Sequence, residues 1–335
     1  MSELPFLKDY NPSGRIVFAM TPGKSFFDMF EWVVEKTGRK IPRVLVSMFY
    51  LRGKNGSEAF ARIRNLCDTL FVDSGVFSLR AKVYKGFGVS FHTKYWKLSQ
   101  EEKDLMIAEG HKNLELFDAF AEEYSVFLKK HSVDIDVAID LDVEQFLDYP
   151  KAEEYYELLA QSIPAEKLMR VWHSPREWKG WKEWCDSGKY TWLAMEGGWE
   201  HDRDIQMYNR FTNYAHIHNI KVHVLAVTTN TFFRDVCFDT CDSSTYTVGG
   251  RWARLLMPNG KDILIGKRYK AHYPNHFDNL TKVEQDRCRE LMAYFGFTPE
   301  ELAESHDKRC LFNILMFLLF YDKPATRTTG EIALF

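Results

Sequence analysis

Leu70-Phe-Val-Asp-Ser-Gly-Val-Phe-Ser78 decides how the rest of the chain is read. Its apolar residues, Leu70, Phe71 and Val72, are continuous and do not alternate with polar ones. The segment is therefore expected to be a strand buried on both faces, as in a parallel sheet covered by helices. It ends on a carboxylate and a hydroxyl, Asp73-Ser74, and Gly75 would let a ligand approach the backbone. Working outward, runs of the same kind recur at 15–20, 43–50, 136–142, 168–173, 190–196, 221–228 and 236–242. Helical patterns lie between them at 25–37, 57–66, 99–130, 151–161, 175–185 and 202–219. The 99–130 segment reads as one long helix, opened by Ser99 and Glu102 at capping-box spacing. Eight strand–helix units over about 240 residues predict an α/β fold, a (β/α)8 TIM barrel, with a doubly wound open sheet as the alternative.

The pattern changes after the eighth run. Segments 254–257 and 263–265 flank Pro258-Asn-Gly260, a hairpin signal. Two helices follow at 280–295 and 299–321. The simplest division is a barrel domain at 1–257 carrying a hairpin and helical extension at 258–335, packed on the barrel.

The chain has 335 residues, 45% of them hydrophobic, and a net charge of −3. It is long enough to bury a large core, and bulk charge gives it no affinity for polyanions, so any nucleic-acid surface must be a local patch. Nine Trp and 26 Phe exclude a largely disordered chain. The six cysteines are scattered. With no leader-like segment at Met-Ser-Glu-Leu-Pro-Phe, they are expected to stay reduced, as in a cytoplasmic protein. The longest apolar run, 310–321, is too short to span a bilayer.

In a TIM barrel the functional residues sit at the C-terminal ends of the strands. The ends expected here are Asp73-Ser74-Gly75, Asp140-Leu-Asp142, His173, Glu196-Gly197-Gly198 and Asp242-Ser243. The last belongs to Phe238-Asp-Thr-Cys-Asp-Ser-Ser-Thr-Tyr-Thr-Val-Gly-Gly-Arg251. There a strand ends on Asp242, small hydroxyl residues follow, and a flexible Gly249-Gly250 turn leads to the cation of Arg251. Carboxylates crowded on one rim cost energy unless a substrate, a metal or shared protons offset the repulsion. Two chemistries fit. Asp140, Asp142, Glu196 and Asp242 could hold a divalent metal, or two carboxylates could serve as nucleophile and acid/base for cleaving a glycosidic bond with retention.

The motifs also resemble a known family. Val72-Asp-Ser-Gly-Val-Phe77 is similar to the Asp-Ser-Gly-Gly-Phe motif of the tRNA-guanine transglycosylase superfamily. Ala194-Met-Glu-Gly-Gly198 resembles its Gly-Gly loop after strand six, and Val222-His-Val-Leu-Ala-Val227 its strand seven. Asp242-Ser-Ser-Thr-Tyr246, with Arg251 downstream, resembles the segment of its nucleophilic aspartate. The order is kept from about Phe71 to Arg251. The chain departs at Val76, where the family has its second motif glycine, and at Ser78, where it has Gln. It also lacks the zinc signature. Structural zinc would fall to the loosely spaced Cys288, Cys310, His272, His276 and His306, and no cofactor is required. Without that signature the chain is most similar to the DNA-guanine transglycosylase branch of phages and bacteria, whose members would work in the cytoplasm.

The resemblance implies a barrel enzyme that replaces guanine in DNA (alternatively tRNA) with a free 7-deazaguanine such as preQ0. Asp242 would form a covalent bond to the sugar and Asp73 would move the proton. Asp140 would accept hydrogen bonds from the base, and Ser74, Gly75, Gly197 and Gly198 would line the base pocket. His173 stands where the family has a base-reading Gln, and Glu196 and Arg251 complete the set. Two segments read as nucleic-acid contacts from their own composition. Arg80, Lys82, Lys85 and Lys94 lie among Tyr84, Phe87, Phe91, Tyr95 and Trp96, and Lys267, Arg268 and Lys270 lie beside Tyr269 and Tyr273. The rival reading without catalysis is a nucleic-acid-binding barrel.

Overall fold

The computed structural model describes residues 4–10, 14–83, 98–173, 177–195, 205–227, 230–259, 261–266 and 273–321. Eight parallel strands close into a barrel in chain order: β1 Ile16–Met20, β2 Ile41–Ser47, β3 Cys67–Asp73, β4 Val137–Ile139, β5 Leu168–Trp172, β6 Trp192–Met195, β7 Lys221–Val224 and β8 Thr240–Ser243. The ring shuts where β1 pairs with β8, with Val17 opposite Asp242. The open-sheet alternative is thereby excluded.

Helices α1 Lys24–Thr37, α2 Gly56–Leu66, α3 Val76–Val83, α4 Gln100–Lys112, α5 Leu114–His131, α6 Tyr149–Ala160, α7 Glu177–Asp186, α8 Ile205–Ile217 and α9 Asn230–Asp235 fall between the strands. After β8 come α10 Val248–Trp252, a two-stranded hairpin of β9 Arg254–Leu255 and β10 Ile263–Leu264, then α11 Lys282–Tyr294, α12 Pro299–Glu304 and α13 His306–Met316.

The strand pleat sorts side chains into two cores. Val17, Leu45, Phe71, Val137, Ile139, Met169, Val171, Trp192 and Ala194 fill the barrel interior. The alternate residues, among them Phe18, Val46, Leu70, Val72, Leu193, Val222 and Cys241, pack outward against the helices. Trp172, Trp178 and Trp181 belong to the outer layer around Phe211, which makes them packing residues. Between the layers, the Tyr124 hydroxyl of α5 lies 3.0 Å from the Val72 carbonyl and 2.9 Å from that of Ile139. One phenol thus ties together the two strand ends from which Asp73 and Asp140 emerge.

Several boundaries differ from expectation. The predicted 99–130 helix is two helices, because Asn113 caps α4 through its N–H to Gly110 O at 3.0 Å and α5 starts afresh beyond it. The Ser99–Glu102 capping box is present. The predicted strand over 236–242 is displaced: β8 begins at Thr240 and runs through Asp242. Strand four is shorter than 136–142, and Asp142 lies beyond it at φ 54°. The 299–321 helix is broken at Ser305, which caps α13 by accepting from Lys308 N.

The expected flexible turn at Gly249-Gly250 is instead helical, inside α10. A Cβ on Gly249 would stand 2.6 Å from Asn313 Nδ2, and one on Gly250 would stand 1.9 Å from His306 Nε2. These glycines let α10 press against α13. Arg309 and Asn313 reinforce the contact: Arg309 donates to Gly249 O at 2.5 Å, while Asn313 bonds Tyr246 O, Arg254 O and Leu256 N. The C-terminal extension thereby grips the segment that leaves β8.

Packing alone requires glycine at position 75. Its φ is +81°, and an added Cβ would lie 2.0 Å from Ser47 Oγ and 2.5 Å from Phe49 Cβ. The turn after β3 is packed against the turn after β2, an arrangement held by Phe49 N donating to Ser74 O. Gly75→Ala is expected to cost about 3 kcal/mol or more, from a steric overlap and a left-handed backbone together. Urea unfolding measures it, and a loss under about 1 kcal/mol would contradict this turn.

Candidate active site

Strand parity places the site. Phe71 points into the barrel, so Asp73, two residues on, does too. Val171 places His173 on the inner side, and the outward Cys241 leaves Thr240 and Asp242 inward. Ser47 lies opposite Asp73 in the β2–β3 ladder. The inner rim therefore carries Ser47, Asp73, His173 and Asp242, above a floor of Phe71, Trp192 and His223. His223 stacks at a tilt on Phe71, ring centroids 5.8 Å apart.

Asp73 is strongly perturbed by its surroundings. Burial pushes its carboxyl up to about 7, and the nearby charges of Asp142 and Asp242 push the same way. The N–H groups of Gly75 and Ser74 oppose this, with Gly75 N donating to Asp73 Oδ2 at 3.0 Å. The pair of Asp-Ser strand ends thus meets electrostatically at one rim, and Asp142 joins them. The φ of 54° at Asp142 is a conformation non-glycine residues seldom adopt. It brings Asp142 Oδ1 to 2.5 Å from His173 Nε2. Gln145 Nε2 lies 2.9 Å from the other ring nitrogen, Nδ1.

Asp242 is held at one oxygen. Its Oδ1 accepts from Ala226 N at 2.9 Å and lies 3.2 Å from His223 Nε2. Ala226 has φ 57°, the second left-handed non-glycine residue at this rim. Asp239 is at the opposite end of β8. Its Oδ2 accepts from Val222 N at 2.7 Å and meets His216, which makes it a brace at the base of β7.

Other expected site residues are placed differently. Asp140 follows the outward parity of Ala138 and pairs with Arg170 at 3.0 Å, both side chains buried. Burial pushes the Asp140 carboxyl up to about 7, against the pull of the Arg170 guanidinium. Arg170 also binds Glu153 at 2.8 Å and stacks over Tyr156 and Trp184. Asp140 is therefore held by Arg170 on the outer side of the strand, while it shares a small cavity with Asp142 and His173.

Ser74 is fully buried, its Oγ accepting from Val76 N at 3.2 Å, so it shapes the turn and does not line the mouth. Arg80 is buried against Phe146, its guanidinium 4.5 Å from the ring centroid, and is no open phosphate ligand. Arg251 is exposed on α10. Lys82 falls in α3, its side chain not among those described. Glu196, Gly197, Gly198, Lys85, Lys94, Lys267, Arg268 and Lys270 lie outside the described residues, as does His272. Of the remaining residues proposed for zinc, His276 Nε2 lies 3.1 Å from Gly266 O and its Nδ1 accepts from Asp278 N, while Cys288 and Cys310 are buried.

Sequence reasoning missed His223, Gln145 and Arg170 as members of this region. His223 had a signal: a lone polar residue at an inward position of a strand otherwise apolar from Val222 to Leu225. No family model matches the chain, and no curated protein or solved structure matches it. Among the described residues, no helix is long and apolar enough to cross a membrane.

Proposed function

We propose that the chain is a base-exchange glycosyltransferase that replaces guanine in DNA with a free 7-deazaguanine through a covalent aspartyl intermediate. One observation carries this reading: two inward carboxylates on one rim stand in unlike environments. Asp73 keeps a proton up to about pH 7. Asp242 is fixed by two contacts on Oδ1, while Oδ2 has no such contact among the described residues. Acid/base work and nucleophilic attack call for this division between two acids.

In the first step Asp242 Oδ2 bonds to the anomeric carbon. The bond from that carbon to guanine N9 breaks, its electron pair leaves with the base, and Asp73 supplies the proton the base takes up. In the second step the incoming 7-deazaguanine gives its N9 proton to Asp73 and attacks the same carbon, releasing Asp242. Two inversions give net retention. The likeness of the Asp73 and Asp242 segments to the guanine transglycosylases supplies the substrate class, and the absence of their zinc signature favours DNA over tRNA.

The test is incorporation of labelled guanine or preQ0 by wild-type protein into DNA and, separately, into tRNA. Exchange in DNA alone is expected. Exchange in tRNA alone would move the protein to the other branch, and exchange in neither would end the proposal.

A further inference from the structure

We infer that His223 is the positioning residue that selects which oxygen of Asp242 reacts. The inference rests on the base-exchange reading for its chemistry but on geometry alone for its hydrogen bond. His223 is completely buried in β7, beneath the rim, with its ring against Phe71. Its Nδ1 lies 2.8 Å from Thr240 Oγ1, the residue paired opposite it in the β7–β8 ladder, and its Nε2 lies 3.2 Å from Asp242 Oδ1.

Thr240 and Asp242 are two residues apart on one strand, so both point inward, and a single imidazole spans them. An ionised carboxylate can only accept, so the proton on this side belongs to His223 Nε2. The chain of bonds then closes with the Thr240 hydroxyl donating to Nδ1. Ala226 N, turned inward by its left-handed backbone, adds a second donor to the same oxygen. Oδ1 is thereby committed and its charge partly neutralised, while Oδ2 keeps its charge and its freedom to attack. Such fixed donors need no reorganisation during the reaction.

Three variants and one spectrum test this. His223→Phe keeps a ring but has no donor. His223→Gln restores a donor, and Thr240→Val removes the hydroxyl that sets the tautomer. With wild-type protein forming a denaturation-resistant adduct on DNA plus preQ0, His223→Phe is expected to slow adduct formation at saturating DNA by about 100-fold with little change in the DNA concentration needed. His223→Gln should recover most of the rate, and Thr240→Val should fall between. Equal rates for wild type and His223→Phe overturn the inference, as does a Phe-like rate for a folded His223→Gln. Nitrogen-15 shifts of His223 in the free wild-type protein should show Nε2 protonated and Nδ1 bare. The reverse tautomer overturns the assignment. If wild type gives no adduct, the base-exchange reading fails, and the nitrogen shifts still decide whether His223 donates to Asp242.

Discussion

Asp242→Asn should lower base exchange by about 10⁴-fold or more and leave DNA binding intact. The substitution keeps the shape of the side chain, and its amide oxygen can still accept from Ala226 N and His223 Nε2. It removes only the charge on the oxygen that would bond to the sugar. Trapping wild-type protein with DNA and preQ0, then denaturing it, should leave a covalent adduct, and the Asn variant should leave none. Asp239→Asn is the control. That residue braces the foot of β7 by accepting from Val222 N, so its loss should reduce stability while the adduct persists. An adduct on Asp242→Asn, or its loss in a folded Asp239→Asn protein, would show that the nucleophile has been misassigned.

Asp73→Asn should lower exchange by about 10²- to 10⁴-fold and at the same time raise stability in alkaline solution. The activity loss follows from its role: an amide cannot give up a proton to the departing base. The gain in stability follows from linkage. The Asp73 carboxyl is held near 7 by burial and by the charges of Asp142 and Asp242, above its value in the unfolded chain. The folded state therefore binds the extra proton between roughly pH 4 and pH 7, and the benefit of the protonated form is lost as pH rises through 7. Asn never carries the charge. A shift of this size corresponds to about 4 kcal/mol, and entry of water around the ionised group would reduce it to about 2 kcal/mol. Urea unfolding at pH 8 should thus find Asp73→Asn more stable than wild type, with the gap closing near pH 4. A variant less stable than wild type at both pH values would place Asp73 outside a low-dielectric pocket. The same titration predicts that wild-type exchange declines above about pH 7, where the acid form is depleted.

The fold was legible because burial on both faces leaves an uninterrupted apolar run, and eight such runs spaced by helical patterns have few arrangements open to them. The inward acids were legible as strand ends for the same reason. What the runs do not encode is parity at the point where a strand stops. Asp140 was read as the acid that meets the base and Asp142 as a candidate metal ligand, yet Asp140 keeps the outward parity of Ala138 and meets Arg170, while a left-handed backbone turns Asp142 to the rim. Arg170 drew no reading from the sequence, since nothing local reveals that Tyr156, Trp184 and two carboxylates enclose it. The glycines misled in a different way. Lack of a side chain serves flexibility and close packing alike, and at Gly75, Gly249 and Gly250 it serves packing. The break at Asn113 went unread, and it shows in the structure as the Asn113 backbone bond to Gly110 O and its side-chain bond to Glu109 O.

The closure of the barrel between β1 and β8 sets a timetable for the active site. Asp73 emerges from the ribosome early, but its partner Asp242 follows roughly 170 residues later, which at ordinary elongation rates is on the order of ten to thirty seconds. During that interval β1 has one neighbour, β2, and an open edge where β8 will dock. On the base-exchange reading, Asp73 would lack its partner carboxylate until β8 slots in. Even then the seam depends on α13, made later still, whose Arg309 and Asn313 grip the segment leaving β8. On the base-exchange reading, a chain that has not yet made α13 would therefore lack a finished site.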